Sequence, residues 1–197
     1  MRLAIIVSFT GAAFFGGWRS AQDSIKSGAR ADSFITNGVW FTSRYVGAMD
    51  ADAKTRAFVA TSGLLGLSRK ETIYYRAHTD QNGDPISSQF DYELVGEALP
   101  ARWWSLTLYD HDHFLNPDVT GPYSAKSTTI QLDANGGFRI MLSAQPSEGN
   151  WIDMGDGREM SLSLRMYNPD PSVIDDFSMI ALPTISRIDL AGERFVQ

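Results

Sequence analysis

The chain has 197 residues and a formal net charge of -6, from Lys+Arg 17 against Asp+Glu 23. This length is enough for one domain with one hydrophobic core. The acidic balance has the wrong sign for a protein that holds nucleic acid by its phosphates, so we predict no nucleic-acid partner. The sequence has no cysteine, which excludes disulfides, cysteine-ligated metal sites and thiol nucleophiles.

An apolar segment occupies residues 3–18, where LAIIVSFTGAAFFGGW contains no charged residue. A spanning helix needs roughly 20 apolar residues and the core of a signal peptide roughly 7–15, so the length fits either class. The exit of the segment places Trp18 and Arg19 where a signal peptidase needs small residues, and this pair is typical of a membrane interface. We predict a retained signal-anchor helix within residues 1–19, with a cleaved secretory leader as the alternative. Its lipid-facing side chains would be Leu3, Ile5, Ile6, Val7, Phe9, Phe14, Phe15 and Trp18.

Small residues form a stripe along this segment. Ser8, Ala12 and Gly16 repeat at a spacing of four, which places them on one face of a helix. Small residues let helix backbones approach closely in lipid, where the hydrophobic effect contributes little between helices. We therefore predict that the partners of the chain are subunits of a membrane protein complex, besides the lipid bilayer. Residues 20–33 form the predicted linker to a β domain at residues 34–197.

The β domain is predicted to begin with a hairpin and one helix. In FITNGVWF, residues 34–41, the Asn-Gly pair suits a two-residue turn between two short strands. In DADAKTRAFVATSGLLGL, residues 50–67, alanines recur at helical spacing, Asp50 or Asp52 can cap the start, and two glycines can end the helix. We predict one principal helix near residues 51–62.

Alternating apolar and polar residues dominate the rest of the chain, as expected of half-buried strands. The runs that show this pattern lie at residues 71–80, 88–96, 102–110, 128–144, 159–168 and 182–190. Residues 128–144 would form two strands about an Asn-Gly-Gly turn, and residues 182–190 an edge strand. The predicted inward residues are Ile73, Tyr75, Ala77, Phe90, Tyr92, Leu94, Trp104, Leu106, Leu108, Met160, Leu162, Leu164 and Met166. The sequence therefore predicts a mainly β fold, an antiparallel β-sandwich or jelly roll.

The densest group of potential ligands is DHDH at residues 110–113. Residues two apart on a strand share a face, so two imidazoles could meet one metal ion there. Two histidines do not complete a site, and carboxylates at a strand end commonly accept backbone N–H bonds in a turn. We keep Asp110, Asp112 and His113 as a candidate ligand cluster. We predict no metal site, no catalytic residue and no cofactor, since the chain has neither a G-x-S-x-G nor an H-E-x-x-H motif.

Trp103 and Trp104 are adjacent on a predicted strand, so their side chains point to opposite faces. One of them would belong to the core, and the other would point outward or lie under a loop. An outward tryptophan is typical of an interaction surface, so both are candidate interface aromatics. Burial beneath the helix is the alternative.

Several segments carry a resemblance to a known family. At LPARWWSLTLYDHDHFL, residues 99–115, and later at SEGNWI and SLSLRMYNPDPSVI, the chain resembles the bacterial domain-of-unknown-function family numbered 1214. The resemblance runs from residue 34 to the carboxyl end. Relatives often have a longer N-P-L-N-like stretch where this chain has Asn116-Pro117-Asp118, which weakens the case for a ligand role of that loop. The matching motif residues are Tyr109, Asp110, Asp112, Phe114, Leu115, Asn116, Pro117, Tyr123 and Ser124.

The resemblance implies a jelly-roll-like β domain that is exported and has no established reaction. Counting charges alone would leave this domain in the cytoplasm, because Arg2 precedes the apolar segment while Arg19, Lys26 and Arg30 follow it. We follow the resemblance and predict a single-pass inner-membrane protein with a periplasmic β domain. The predicted function is a noncatalytic accessory subunit of a larger bacterial membrane complex. The alternative is a periplasmic enzyme acting on a glycan or lipid, or a small-ligand-binding module.

Overall fold

The computed structural model describes residues 15–20, 34–61, 65–110, 112–156 and 158–188, apart from the side chains of Phe58 and Thr61. Residues 15–20 are helical (α1). The elements that follow are β1 (Phe34–Asn37), β2 (Trp40–Ser43), α2 (Ala53–Thr61), β3 (Thr72–Ala77), β4 (Asp91–Gly96), β5 (Ala101–Asp110), β6 (Ser124–Lys126), β7 (Phe138–Ser143), β8 (Trp151–Asp153), β9 (Met160–Pro169), α3 (Pro171–Asp175) and β10 (Thr184–Ile188). The predicted mainly β fold is confirmed.

The strands of the described residues form two sheets. One has six strands in the order β1-β2-β3-β9-β5-β6, and every neighbouring pair in it is antiparallel. The other has four strands in the order β10-β4-β7-β8, of which β7 and β8 are parallel. The antiparallel prediction therefore holds for all of the larger sheet and for part of the smaller one. The jelly-roll connectivity stays a prediction.

One hydrophobic core joins the two sheets, because the period-two pattern turns one face of each strand toward the other sheet. Trp104 of β5 meets Phe138 of β7 across the interface between the sheets, with 5.0 Å between their ring centroids. All of the residues that we predicted to face inward are buried except Phe90, which is partly buried. Phe90 lies just before β4, where the guanidinium of Arg187 covers its ring at 3.1 Å from the centroid.

The first hairpin is present, but its turn is one residue later than predicted. Asn37 pairs with Trp40, so the two turn residues are Gly38 and Val39. Gly38 has a φ of +60°, a conformation that glycine adopts at no steric cost. This register places Trp40 in the core and turns Phe41 to the outer face of the six-stranded sheet.

The predicted helix and edge strand are confirmed. Asp52 caps α2, since its Oδ1 accepts the backbone N–H of Thr55 at 2.7 Å. β10 lies at the edge of the four-stranded sheet, beside β4.

The prediction of two strands within residues 128–144 is half wrong. β7 forms, whereas the preceding residues contribute a single bridge between Leu132 and Phe138. The backbone N–H of Gln131 donates instead to the side chain of Asn150 at 2.7 Å, and the Asn150 amide donates back to the Gln131 carbonyl at 2.8 Å. The side chain of Asn150, 19 positions away, thus takes the place of a neighbouring strand as the hydrogen-bond partner of the Gln131 backbone.

Most of the predicted anchor lies outside the described residues. This applies to the stripe residues Ser8 and Ala12 and to the lipid-facing residues from Leu3 to Phe14. In α1, the side chains of Phe15 and Trp18 are exposed. Among the described residues, no atom outside the helix's own backbone and the chain neighbours lies within 4 Å of a Cβ placed at Gly16. None of the described helices is long and apolar enough to cross a membrane.

Candidate functional site

The predicted ligand cluster at residues 110–113 divides into separate roles. Asp110 ends β5 and is 5% exposed, and its Oδ1 accepts the backbone N–H groups of Asp112 at 3.0 Å and Phe114 at 2.8 Å. These bonds close the loop that follows the strand, which is the turn chemistry of an aspartate at a strand end. Asp112 lies exposed in that loop, and His111 lies outside the described residues. Among the described residues, no three His, Asp or Glu side chains are grouped so that they could hold a metal ion.

His113 contacts the six-stranded sheet through Arg76. Its φ is +68°, a left-handed conformation that costs a residue other than glycine about 1–2 kcal/mol. Its Nδ1 lies 2.5 Å from Nη2 of Arg76. Because a guanidinium can only donate, we assign Nδ1 as the acceptor and place the ring proton on Nε2. The loop that Asp110 closes therefore holds an imidazole against a buried arginine.

Strand register builds a group of basic side chains on the outer face of the six-stranded sheet. Arg76 of β3 pairs with Ser163 of β9, and Arg165 of β9 pairs with Tyr74 of β3, so the two arginines are diagonal neighbours on adjacent strands. His78 follows β3 on the same face, and His113 reaches it from the loop after β5. We call Arg76, His78, His113 and Arg165 the basic face. The outward positions of β3, β5 and β9 contain no Asp or Glu.

Arg76 is the most buried member of the basic face. The residue is 6% exposed, and its Nε is buried without a hydrogen-bond partner among the described residues. The ion pairs within the described part of the chain join Arg139 to Glu93 and Arg158 to Asp118, so neither Arg76 nor Arg165 has a carboxylate partner there. Taking a charge out of water costs several kcal/mol, which a partner of opposite charge normally offsets.

Arg165 lies over the polar middle of the sheet. Its Nη2 donates to the hydroxyl of Tyr109 at 2.7 Å, and its guanidinium carbon lies 5.3 Å from the centroid of that ring. Ser161 and Ser163 have 2% or less of their surface exposed, and within the part of the chain that the structure describes their hydroxyl oxygens have no hydrogen-bond partner. The face therefore holds a layer of buried, unsatisfied hydroxyl groups beside two guanidinium groups.

The positive charges of the basic face shift one another's pKa values. Burial lowers the pKa of Arg76, and the charge of Arg165 lowers it further. The pKa of His78 falls to about 4, chiefly through desolvation and then through the positive charge of Arg76. His78 keeps an exposed edge, but one face of its ring is stacked on Phe41 with 5.2 Å between the ring centroids. His78 is therefore neutral at physiological pH.

The basic face can bind an anion. Guanidinium groups present parallel N–H donors that match carboxylate and phosphate oxygens, and the tyrosine and serine hydroxyls add further donors. The sequence analysis missed Arg76, His78 and Arg165. Each occupies or follows an outward strand position, and such positions are normally solvated. One feature of the sequence does indicate this face: the outward positions of three strands contain no acidic residue.

The two tryptophans lie on opposite faces, as expected for neighbours on a strand. Trp104 is 5% exposed and belongs to the core, so it is not available to a partner. Trp103 is half-buried on the outer face of the six-stranded sheet, where its ring lies 5.2 Å from that of Tyr167. Trp103 remains the interface candidate of the pair.

Comparison with known proteins identifies a family. Residues 71–171, about half of the chain, match the model of the family described as "Protein of unknown function (DUF1214)". The match includes β3, β5 and β9, which carry or border the basic face. No curated protein matches the chain.

Two solved structures are similar. The crystal structure of the VPA0106 protein from Vibrio parahaemolyticus matches with a TM-score of 0.59 at 22% identity, over 72% of this chain and 37% of that one. A putative uncharacterized protein from Burkholderia cenocepacia matches with a TM-score of 0.43 at 18% identity, over 64% of this chain and 31% of that one. The chain thus spans about a third of the length of these proteins. The Vibrio structure shares the fold.

Proposed function

The chain belongs to the DUF1214 family, and we propose that its β domain is a noncatalytic module that binds a small anion on the basic face. The buried guanidinium of Arg76 carries this proposal, since it forms no ion pair with any described residue. A buried charge without a partner is costly, and a bound anion would offset that cost. Arg165 and Tyr109, joined by a hydrogen bond on the same face, would supply further donors.

Two features favour binding over catalysis. Asp110 is engaged with two backbone N–H groups, so its Oδ1 is not available to move a substrate proton. His113 accepts from Arg76 through Nδ1, which leaves that nitrogen unable to act as a general base. Of the two alternatives, these contacts favour the small-ligand-binding module over the glycan- or lipid-processing enzyme.

Anion titration tests this proposal. The full chain in mild detergent would be titrated with sodium phosphate and sodium formate at constant ionic strength, by calorimetry and thermal unfolding. We expect saturable binding and a rise in Tm, because a ligand that binds only the folded state stabilises it. Arg165→Met should weaken binding about tenfold or more, since a hydrogen bond to a charged group contributes about 1.5–3 kcal/mol.

Arg158→Met is the matched control, because Arg158 is exposed and pairs with Asp118 at 3.2 Å. It should bind the anion as the unaltered protein does. Failure of the unaltered protein to bind either anion would refute the proposal, as would equal losses in the two variants.

We also propose that this module is an accessory subunit, held beside a larger membrane complex by its amino-terminal segment, with the β domain in the periplasm. The support is in the sequence: residues 3–18 carry no charge, and Ser8, Ala12 and Gly16 form a stripe of small residues. Lipid tails accept any apolar side chain, so a stripe of small residues suits packing against another helix better than anchoring alone.

Leucine substitutions test the stripe. Ser8→Leu, Ala12→Leu and Gly16→Leu together should keep the protein in the membrane but release its partners during purification in mild detergent. The control replaces Thr10 and Gly17 with leucine, which lie on the opposite side of the predicted helix, and it should retain the partners. If the stripe variant keeps its partners, or if the mature chain starts after the apolar segment, the accessory-subunit proposal is wrong.

A further inference from the structure

A small cleft lies beside Arg76 on the outer face of the six-stranded sheet. It has a volume of about 20 Å³. Its wall is formed by Phe34, Phe41, Val46 and Tyr74, together with the polar residues Thr42, Ser43 and Arg76. A cavity of this size holds about one water molecule or one methyl group. Most of its wall is apolar, and one wall residue is the buried arginine.

Aromatic contacts fix the shape of the cleft. The rings of Phe34 and Phe41 meet edge to face with 5.7 Å between their centroids, and Phe41 also stacks on His78. The hydroxyl of Tyr74 donates to the carbonyl of Leu65 at 2.6 Å. The walls are therefore held in place without a ligand.

The turn that carries Val46 is also fixed. Gly47 has a φ of +71°, and a Cβ at this position would lie 1.7 Å from the carbonyl oxygen of Leu67. Only glycine fits this close approach, so the backbone holds Val46 at one place on the wall.

We infer that the anion of the basic face is a short-chain carboxylate, whose oxygens bind the guanidinium groups while its apolar end enters this cleft. The inference rests on the proposed function and restricts its ligand from any small anion to a short-chain carboxylate. Arg76 belongs both to the cleft wall and to the basic face, so the two halves of such a molecule would be recognised side by side. Inorganic phosphate has polar oxygens on every side and would leave the apolar wall unused. A water molecule in the cleft would meet few of the polar partners that it needs.

A ligand series tests the inference without any mutation. The full chain in mild detergent would be titrated with formate, acetate, propionate and butyrate, and with inorganic phosphate, at constant ionic strength. We expect acetate to bind about threefold to fourfold more tightly than formate, because its methyl group fills the cleft and contributes the transfer free energy of one buried carbon. Propionate and butyrate should bind no more tightly than acetate. Phosphate should bind no better than formate.

Changing the size of the cleft gives a second test. Val46→Ala enlarges it and should move the preferred chain length upward by one or two carbons, whereas Val46→Phe should reduce acetate affinity to that of formate. Val119→Ala, in a loop that does not line the cleft, is the control and should keep the original preference.

These experiments distinguish failure of the carboxylate inference from failure of the anion-binding proposal. Equal affinity for formate, acetate and phosphate would overturn the inference and leave the anion-binding proposal intact. An unchanged chain-length preference in folded Val46→Ala protein would also overturn it. If no anion binds at all, the proposed function fails, and the inference fails with it.

Discussion

Replacing Arg76 with methionine is expected to raise the free energy of unfolding of the ligand-free protein by about 1–3 kcal/mol while weakening anion binding about a hundredfold. Arg76 is 6% exposed, and its guanidinium has no carboxylate partner among the described residues. Methionine keeps the unbranched, apolar part of the side chain and removes the cost of burying a charge. The measurement is urea unfolding of the full chain, without added anion and with saturating carboxylate.

Arg158→Met supplies the control for this result. Arg158 is a partly exposed arginine in an ion pair, and its replacement should change stability by no more than about 0.5 kcal/mol. A loss of stability of more than about 1 kcal/mol in Arg76→Met, with binding retained, would show that the guanidinium stabilises the sheet itself. The opposite signs expected for stability and binding separate a ligand-binding arginine from a structural one.

The same variant has a distinct effect on His78. Its pKa is about 4 in the folded protein, below its ordinary value of 6.5, so the folded state resists the proton that the unfolded state accepts. The resulting contribution to stability is complete above pH 6.5 and is lost as the pH falls toward 4. Arg76→Met removes a positive charge that lowers this pKa. In an NMR titration, the His78 resonance should therefore shift at a higher pH in the variant.

The fold was largely predictable because inward strand positions are buried and therefore apolar. Apolar residues consequently recur at every second position of a strand. Met160, Leu162, Leu164 and Met166 show the pattern without interruption, and all four are buried in β9. The errors occurred where a contact distant in the chain decides local structure. The Asn150 side chain forms hydrogen bonds with the backbone N–H and carbonyl of Gln131. No pattern within residues 128–144 predicts these bonds.

The site was harder to predict than the fold for the same physical reason. Arg76 and Arg165 come together through the pairing of β3 with β9, two strands that lie far apart in the chain. Sequence reasoning instead favoured Asp110, Asp112 and His113 because they are close in sequence. The structure uses Asp110 to close the loop and brings only His113 to the basic face. Clustering of potential ligands along the chain was therefore a poorer guide to the site than the absence of acidic residues from one face of the sheet.

The adjacent tryptophans should differ greatly in their contribution to stability. Trp104→Ala is expected to lower the free energy of unfolding by about 3–5 kcal/mol, because it empties a large volume where the two sheets meet at Phe138. Trp103→Ala should lower it by only about 0.5–1.5 kcal/mol, since it removes a half-buried ring and its contact with Tyr167. Urea unfolding of the two variants compares the same substitution at neighbouring positions on opposite faces.

The comparison also tests Trp103 as an interface residue. A variant that keeps the fold but loses co-purifying membrane partners would place the partner on the outer face of the six-stranded sheet, beside the basic face. Equal losses of stability at the two positions would mean that the outer face is as tightly packed as the core, and the interface role of Trp103 would then be wrong. Trp103 of β5 and Arg165 of β9 both occupy outward positions on neighbouring strands. If both proposals hold, partner binding and anion binding should therefore influence each other.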